Sequence, residues 1–356
     1  MAIKNKPLST AALRIVLDKC VLGKDMEEEL KKIELINKLK KQKNAVILAH
    51  YYMNDAIKLG IADYIGDSLD LSKVARDTTA DMIIFCGVHF MAETAKILNS
   101  KKKVFLPNQA AGCSLAESIT AEDVRKLRML YPDAAIVTYI NTSAAVKAET
   151  DVCVTSANAP KIVKALPNKR IVFIPDKYMA ANLKKEVPEK EIIVWDGRCI
   201  VHEEFTKDML NSYRKQIPGL KVLAHYECRK EVVEAADMHG GTSDMRKYIA
   251  ENSAPAFLLA TECGLSSTIK SENPEKEIMG PCMLCPYMRK ITIENTLKIL
   301  QTESPEITVP ENIRIRAKKS IDRMFELMEN PQERTPCMIE SEEIKAMAEA
   351  AVGTEK

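Results

Sequence analysis

From Val46 onwards the chain alternates short, almost wholly apolar runs with longer amphipathic stretches, a period-2 to period-3.6 alternation that predicts strands followed by helices. Three segments share the order strand, polar tip, helix, short second strand: VILAHYYMNDAIKLGIADYIGDS from Val46, IVTYINTSAAVKAETDVCVTS from Ile136, and VLAHYECRKEVVEAADMHGGTS from Val222. Their first strands end at His50, Tyr139 and His225. Asp63, Asp151 and Asp237 follow in one register, each with a hydroxyl five positions on, at Ser68, Ser156 and Thr242. The match continues through a third strand (MIIFCG, RIVFIP, AFLLATE) and a fourth element that closes on a cysteine (KKVFLPNQAAGC, KEIIVWDGRC, EKEIMGPCMLC).

Strands alternating with helices, with no tight Asn-Gly hairpins between them, predict βαβ units and an α/β fold. Three homologous units are expected, over 46–132, 133–218 and 219–305, each with a parallel four-stranded sheet. A helical N-terminal extension over 1–45, a closing helix over 306–329 and a polar tail over 330–356 complete the division. Ligands of such sheets gather at the carboxyl ends of the strands.

Composition narrows the class. With 52 Lys+Arg against 50 Asp+Glu and no long like-charge block, the footprint of a nucleic-acid binder is missing. The beginning of the chain lacks the apolar core of a secretory signal, and no run reaches the ~20 apolar residues of a membrane span, so a cytoplasmic protein is expected. In that compartment ten cysteines stay mostly as thiols, which points to metal binding, catalysis or core packing.

Cys113, Cys199 and Cys285 are spaced 86 residues apart and close the fourth element of their units. If the units surround a pseudo-threefold axis with their strand tips inward, one thiolate from each meets on it. Three thiolates suggest a metal site with an open position: a 4Fe–4S cluster with one iron free to act as a Lewis acid, or zinc with a bound water. Cys-x-x-Cys at Cys282 and Cys285 adds the further readings of a dithiol pair or a chelating unit. The positions matching Cys282 are Ala110 and Asp196, so only Cys285 belongs to the threefold set.

The same symmetry brings in Tyr52, Asn141 and Glu227, each two residues beyond a strand end and therefore on the strand-end residue's face. A lone Ser before a helix is ordinarily an N-cap, and a lone strand-end His a satisfied structural group. Convergence raises Ser68, Ser156, Thr242, His50 and His225 above that reading; Asp63, Asp151 and Asp237 are read as turn or capping residues.

With these residues assembled, the chain resembles the quinolinate synthase family from about Val46 to Leu327. LAHYY with GDS downstream, FCGVHFMAETAKIL, AGC before SLAE, YINTSAAVKAETD with TSANA, DGRCIVHEEF, HYEC with GGTS, ENPEKE and CPYM carry the resemblance. It implies a triplicated three-layer αβα fold around a central 4Fe–4S cluster held by Cys113, Cys199 and Cys285, with one open iron. It also implies condensation of iminoaspartate with dihydroxyacetone phosphate, with loss of phosphate and two waters, in the biosynthesis of NAD; aspartate oxidase or aspartate dehydrogenase would supply the imine. The family pattern places His50, Tyr52, Ser68, Tyr139, Asn141, Ser156, His225, Glu227 and Thr242 around substrate. Glu227 beside His225 is the expected acid/base group, with Tyr52 and His50 as its companions. Gly241 stands where serine is usual, with Ser243 as the substitute hydroxyl; Thr268 stands for arginine and Met53 for glutamine. The competing readings are another hydro-lyase or condensing enzyme on the same scaffold, and a non-enzymatic iron–sulfur redox sensor.

Overall fold

The computed structural model describes residues 1–17 and 26–329; the polar tail expected over 330–356 lies outside the described residues. Three sheets account for the strands. β1 (Ile3–Lys4), β2 (Ala45–His50), β3 (Tyr64–Gly66), β4 (Met82–Cys86) and β5 (Lys103–Phe105) form the first, in the order β1-β3-β2-β4-β5. β6 (Ala135–Tyr139), β7 (Val152–Val154), β8 (Arg170–Ile174) and β9 (Glu191–Val194) form the second, in the order β7-β6-β8-β9. β10 (Lys221–His225), β11 (Met238–Gly240), β12 (Ala256–Ala260) and β13 (Glu277–Met279) form the third, in the order β11-β10-β12-β13. Each unit thus carries the same parallel four-stranded sheet in the order second, first, third, fourth strand.

The register repeats with the topology: Ile47 faces Ile84, Ile136 faces Val172 and Val222 faces Leu258. The central strands read as continuous apolar runs because helices cover both faces. Ile47, Leu48, Val137, Leu223 and Leu258 are all fully buried.

The three aspartates cap no helix. Asp63, Asp151 and Asp237 each accept a backbone N–H near the start of the neighbouring first strand, from Ile47 (2.9 Å), Ile136 (2.7 Å) and Val222 (2.9 Å). Their own N–H groups donate to the carbonyls of the same three residues. Lys40, Arg128, and Arg214 with Lys221 take the other contacts of Asp63, Asp151 and Asp237 in turn, so each carboxylate ties the start of the second strand to the first.

The N-terminal extension contains the expected helices, Thr10–Leu17 and Met26–Gln42, but begins with a strand. β1 runs antiparallel to β3, pairing Ile3 with Ile65, and adds a fifth strand to the first sheet. The physical reason lies in β3, an edge whose backbone groups need cover. The corresponding edge β7 packs against the closing helix Glu311–Glu329.

Candidate active site

Parallel strands deliver their carboxyl ends to one side, and the three first strands end at His50, Tyr139 and His225, all buried. The chain turns there in each unit and sets Tyr52, Asn141 and Glu227 two residues on. One cavity, with about 760 Å³ of space counting its open mouth, is lined by the nine candidate substrate residues and by all three cysteines of the threefold set, the hydroxyls of Ser68, Ser156 and Thr242 included.

Units 1 and 3 share a device at the strand tip. Nδ1 of His50 accepts the N–H of Tyr52 (3.2 Å), and Nδ1 of His225 accepts the N–H of Glu227 (3.3 Å). Burial lowers both imidazoles to about 3, so each is neutral at pH 7. An accepting Nδ1 on a neutral ring leaves the proton on Nε2, and each ring is a hydrogen-bond donor in the cavity wall.

Glu227 is 4% exposed and bonded at both oxygens. Tyr139 donates to Oε1 at 2.5 Å and His202 Nδ1 lies 3.0 Å from Oε2. Burial works against the charge, but His202 beside it and the hydrogen bonds from His202 and Tyr139 outweigh it and hold the carboxyl below its ordinary range. His202 also reaches Cys199 Sγ (3.3 Å) and Thr261 Oγ1 (3.0 Å), and its ring stacks on that of His225 at 4.2 Å. It lies in DGRCIVHEEF, three residues after Cys199, yet the repeat gives no hint of it because Ala116 and Met288 occupy the matching positions.

Each of the three cysteines opens a helical turn, and backbone N–H groups two and three residues on point back at its sulfur: Leu115 and Ala116, Val201 and His202, Tyr287 and Met288. Burial pushes the thiols up, Cys113 to about 12. Cys282 does not line the cavity. It is exposed, with its Sγ 3.4 Å from that of Cys263. Cys228 is buried and faces the carbonyl of Ala260.

The hydroxyls stand where expected but cap nothing. Ser68 and Thr242 are the first residues of helices Ser68–Asp77 and Thr242–Glu251, whose N-caps are Asp67 and Gly241. Asp67 accepts the N–H of Asp70, and Asp244 accepts that of Gly241. Ser156 precedes helix Ala159–Ala165, where Asn158 accepts the N–H of Thr155. None of the three hydroxyls has a hydrogen-bond partner among the described residues.

Ser243 does not replace the hydroxyl missing at Gly241, because it donates to Asp67 (2.7 Å) and Asp70. A Cβ at Gly241 would meet Ser156 Oγ at 2.7 Å, so the glycine makes room for that hydroxyl. Thr268 faces buried Lys58, and Met53 lies in the core.

Residues 34–326 match the family model described as quinolinate synthetase A protein. Among curated relatives, a quinolinate synthase of Aquifex aeolicus is 47% identical, over 85% of this chain and 96% of its own. One of Caldicellulosiruptor saccharolyticus is 47% identical, over 85% of this chain and 99% of its own. One of Agrobacterium fabrum is 46% identical, over 83% and 85%.

Proposed function

The chain belongs to the quinolinate synthetase A protein family, and from that footing we propose that it is a quinolinate synthase of NAD biosynthesis, condensing iminoaspartate with dihydroxyacetone phosphate with loss of phosphate and two waters. One observation carries this reading: residues of three units, with a thiol from each, converge on one cavity that offers hydrogen-bond donors on several sides and two buried carboxylates, Glu227 facing histidines and Glu262 paired with Arg289.

The donor set fits a 4Fe–4S cluster better than one metal ion. Three thiolates on one zinc would stand about 4 Å apart. Among the described residues, however, only Cys199, His202 and Glu227 form a trio of donor atoms all within 4.8 Å of one another. The wider spread of Cys113, Cys199 and Cys285 suits a polynuclear group, and N–H groups aimed at each sulfur are a recognised support for cluster thiolates. With three protein ligands, such a cluster supplies an open iron as a Lewis acid for hydroxyl or carbonyl oxygen.

The chain's own residues do the rest. The Nε2–H groups of His50 and His225 and the hydroxyls of Ser68, Ser156 and Thr242 bind the carboxylates and phosphate of the two substrates. Asn141 has a buried Oδ1 without a partner among the described residues, an acceptor for a substrate N–H or O–H. Glu227, ionised and fixed by Tyr139 and His202, takes the proton lost from carbon and returns it where water leaves.

Among the described residues no helix is long and apolar enough to cross a membrane. An upstream reaction that oxidises aspartate to its imine, by an oxidase or a dehydrogenase, must supply the first substrate. The test is anaerobic purification with iron and sulfide analysis, then assay of quinolinate from the two substrates. Iron and sulfide near four per chain with product formation is expected; a zinc-bearing, iron-free protein or absence of product overturns the reading.

A further inference from the structure

The three cysteine turns hang from their sheets by one repeated backbone bond. The N–H three residues past the end of the third strand, at His89, Lys177 and Cys263, donates to the carbonyl two residues before the cysteine, at Ala111 (2.8 Å), Gly197 (2.9 Å) and Met283 (3.1 Å). The first two turns are also clasped to each other, because Ser114 Oγ donates to the carbonyl of Arg198 (3.0 Å) and accepts the N–H of Ile200 (3.3 Å). The third turn lies outside that clasp, with Cys282, Leu284 and Pro286 exposed on either side of Cys285. Its bonds to unit 1, from Tyr287 OH to Glu117 (2.9 Å) and from Lys290 Nζ to the carbonyl of Ala110 (2.9 Å), are made at the surface, where water competes.

A buried side chain holds it from within. Glu262, two residues beyond β12, is fully buried. Its Oε1 accepts the N–H of Cys285 itself (3.3 Å) and a guanidinium N–H of Arg289 (2.8 Å), and its Oε2 accepts the N–H of Gly264 (2.6 Å). One carboxylate therefore grips both ends of the turn from Cys285 to Arg289 and fastens them to the start of helix Gly264–Glu272. A Cβ at Gly264 would meet Glu262 Oε2 at 2.8 Å and the backbone of Tyr52 at 2.9 Å, so the glycine leaves the carboxylate its place. The matching residues of units 1 and 2 are Val88, with no polar side-chain atom, and Asp176, whose Oδ1 accepts the N–H groups of Tyr178 and Met179 instead.

We infer that Glu262 is a positioning residue for the third thiol, holding the Cys285 turn so that its sulfur faces the cavity. Tyr287 and Met288, whose N–H groups point at that sulfur, lie inside the gripped turn and are placed with it. Holding both ends removes freedom that the turn would otherwise lose on binding metal. An amide in place of the carboxylate offers one acceptor oxygen and a donor group to three N–H groups, so at least one of the three is left facing a donor.

This inference rests on the proposed cluster. The test compares wild type, Glu262→Gln and Cys282→Ser, each loaded anaerobically with iron and sulfide. Three quantities are measured: iron and sulfide per chain, the rate at which excess EDTA bleaches the visible absorption, and the gain in thermal midpoint from apoprotein to holoprotein. Glu262→Gln is expected to release iron about ten- to hundredfold faster than wild type and to gain less in midpoint on loading. Failure of that variant to take up iron, with an apoprotein midpoint near wild type, counts the same way. Cys282→Ser, altered at an exposed residue of the same loop, is expected to match wild type in both. If Glu262→Gln does not fold, Arg289→Gln, which frees one end of the turn, is expected to move both readings in the same direction. Wild-type release and wild-type gain in Glu262→Gln, or in Arg289→Gln where it stands in, would make the carboxylate a residue of the fold only and overturn the inference alone. A wild type that holds no iron and sulfide overturns the cluster reading and the inference together.

Discussion

The phenol of Tyr139 donates to Oε1 of Glu227 at 2.5 Å, a short hydrogen bond from the second unit to a buried carboxylate of the third. Bonds of this kind to an ionised acceptor are the strong ones, and this one helps keep Glu227 charged where burial alone would neutralise it. Glu227→Gln, which keeps the shape and loses the base, should retain full iron and lose about 10²- to 10⁴-fold in kcat. Wild-type turnover in that variant would remove Glu227 from the chemistry.

The two cysteines of Cys-x-x-Cys should behave differently. Cys285→Ser should lose iron and visible absorption, whereas Cys282→Ser should keep both, because Cys282 is exposed outside the cavity. Under a mild disulfide oxidant Cys282 should pair with Cys263, whose sulfur is 3.4 Å away, and not with buried Cys228. Each such event gives two protons and two electrons to the oxidant. Equal iron loss in the two serine variants would make the pair one chelating unit; peptide mapping of the oxidised protein identifies the disulfide.

Because the caps are Asp67 and Gly241, the cavity hydroxyls and helix stability should separate. Ser68→Ala and Thr242→Ala should weaken quinolinate binding in a calorimetric titration while leaving the thermal midpoint within a degree or two. Asp67→Ala should lower that midpoint, in line with the ~1 kcal/mol worth of a cap. A lowered midpoint with unchanged affinity in the serine and threonine variants would return them to a structural role.

His50 and His225, lowered to about 3 by burial, are neutral in the folded protein throughout the range in which an unfolded imidazole gains its proton, below about pH 6.5. Between those limits the unfolded state binds more protons, so stability falls as pH falls, by about 1.4 kcal/mol per pH unit for each ring. The thermal midpoint should therefore drop from pH 7 to pH 5, and His225→Gln should make the drop shallower. A slope identical to wild type would mean that His225 is charged when folded.

Much of the fold was legible because triplication repeats its own signal: strand ends, aspartates, hydroxyls and cysteines recur in register, and each copy checks the others. The cavity-lining set followed from the same reasoning, since equivalent positions on three sheets face one place. What repetition cannot reveal is a residue that only one unit possesses. His202 and Thr261 have no counterparts, and only the packed structure sets them between Tyr52 and Glu227. At the hydroxyls the ordinary capping role goes elsewhere, because Ser68 and Thr242 fall one position inside the helix and the preceding residue is the cap. The strand β1 is two residues long, too short to carry a periodic pattern, and owes its existence to the edge it covers.

Equivalent positions in the three sheets hold a phenol at Tyr52, an amide at Asn141 and a carboxylate at Glu227. A ring assembled from three identical chains could not do this, since whatever residue one copy placed at that position the other two would repeat, and three carboxylates facing one another would resist ionising together. Joining the copies in one polypeptide releases each wall from its neighbours while keeping the thiols alike. The centre can then remain symmetric at its three thiols, where the proposed cluster would sit, and become lopsided where the proposed chemistry must tell one end of a substrate from the other.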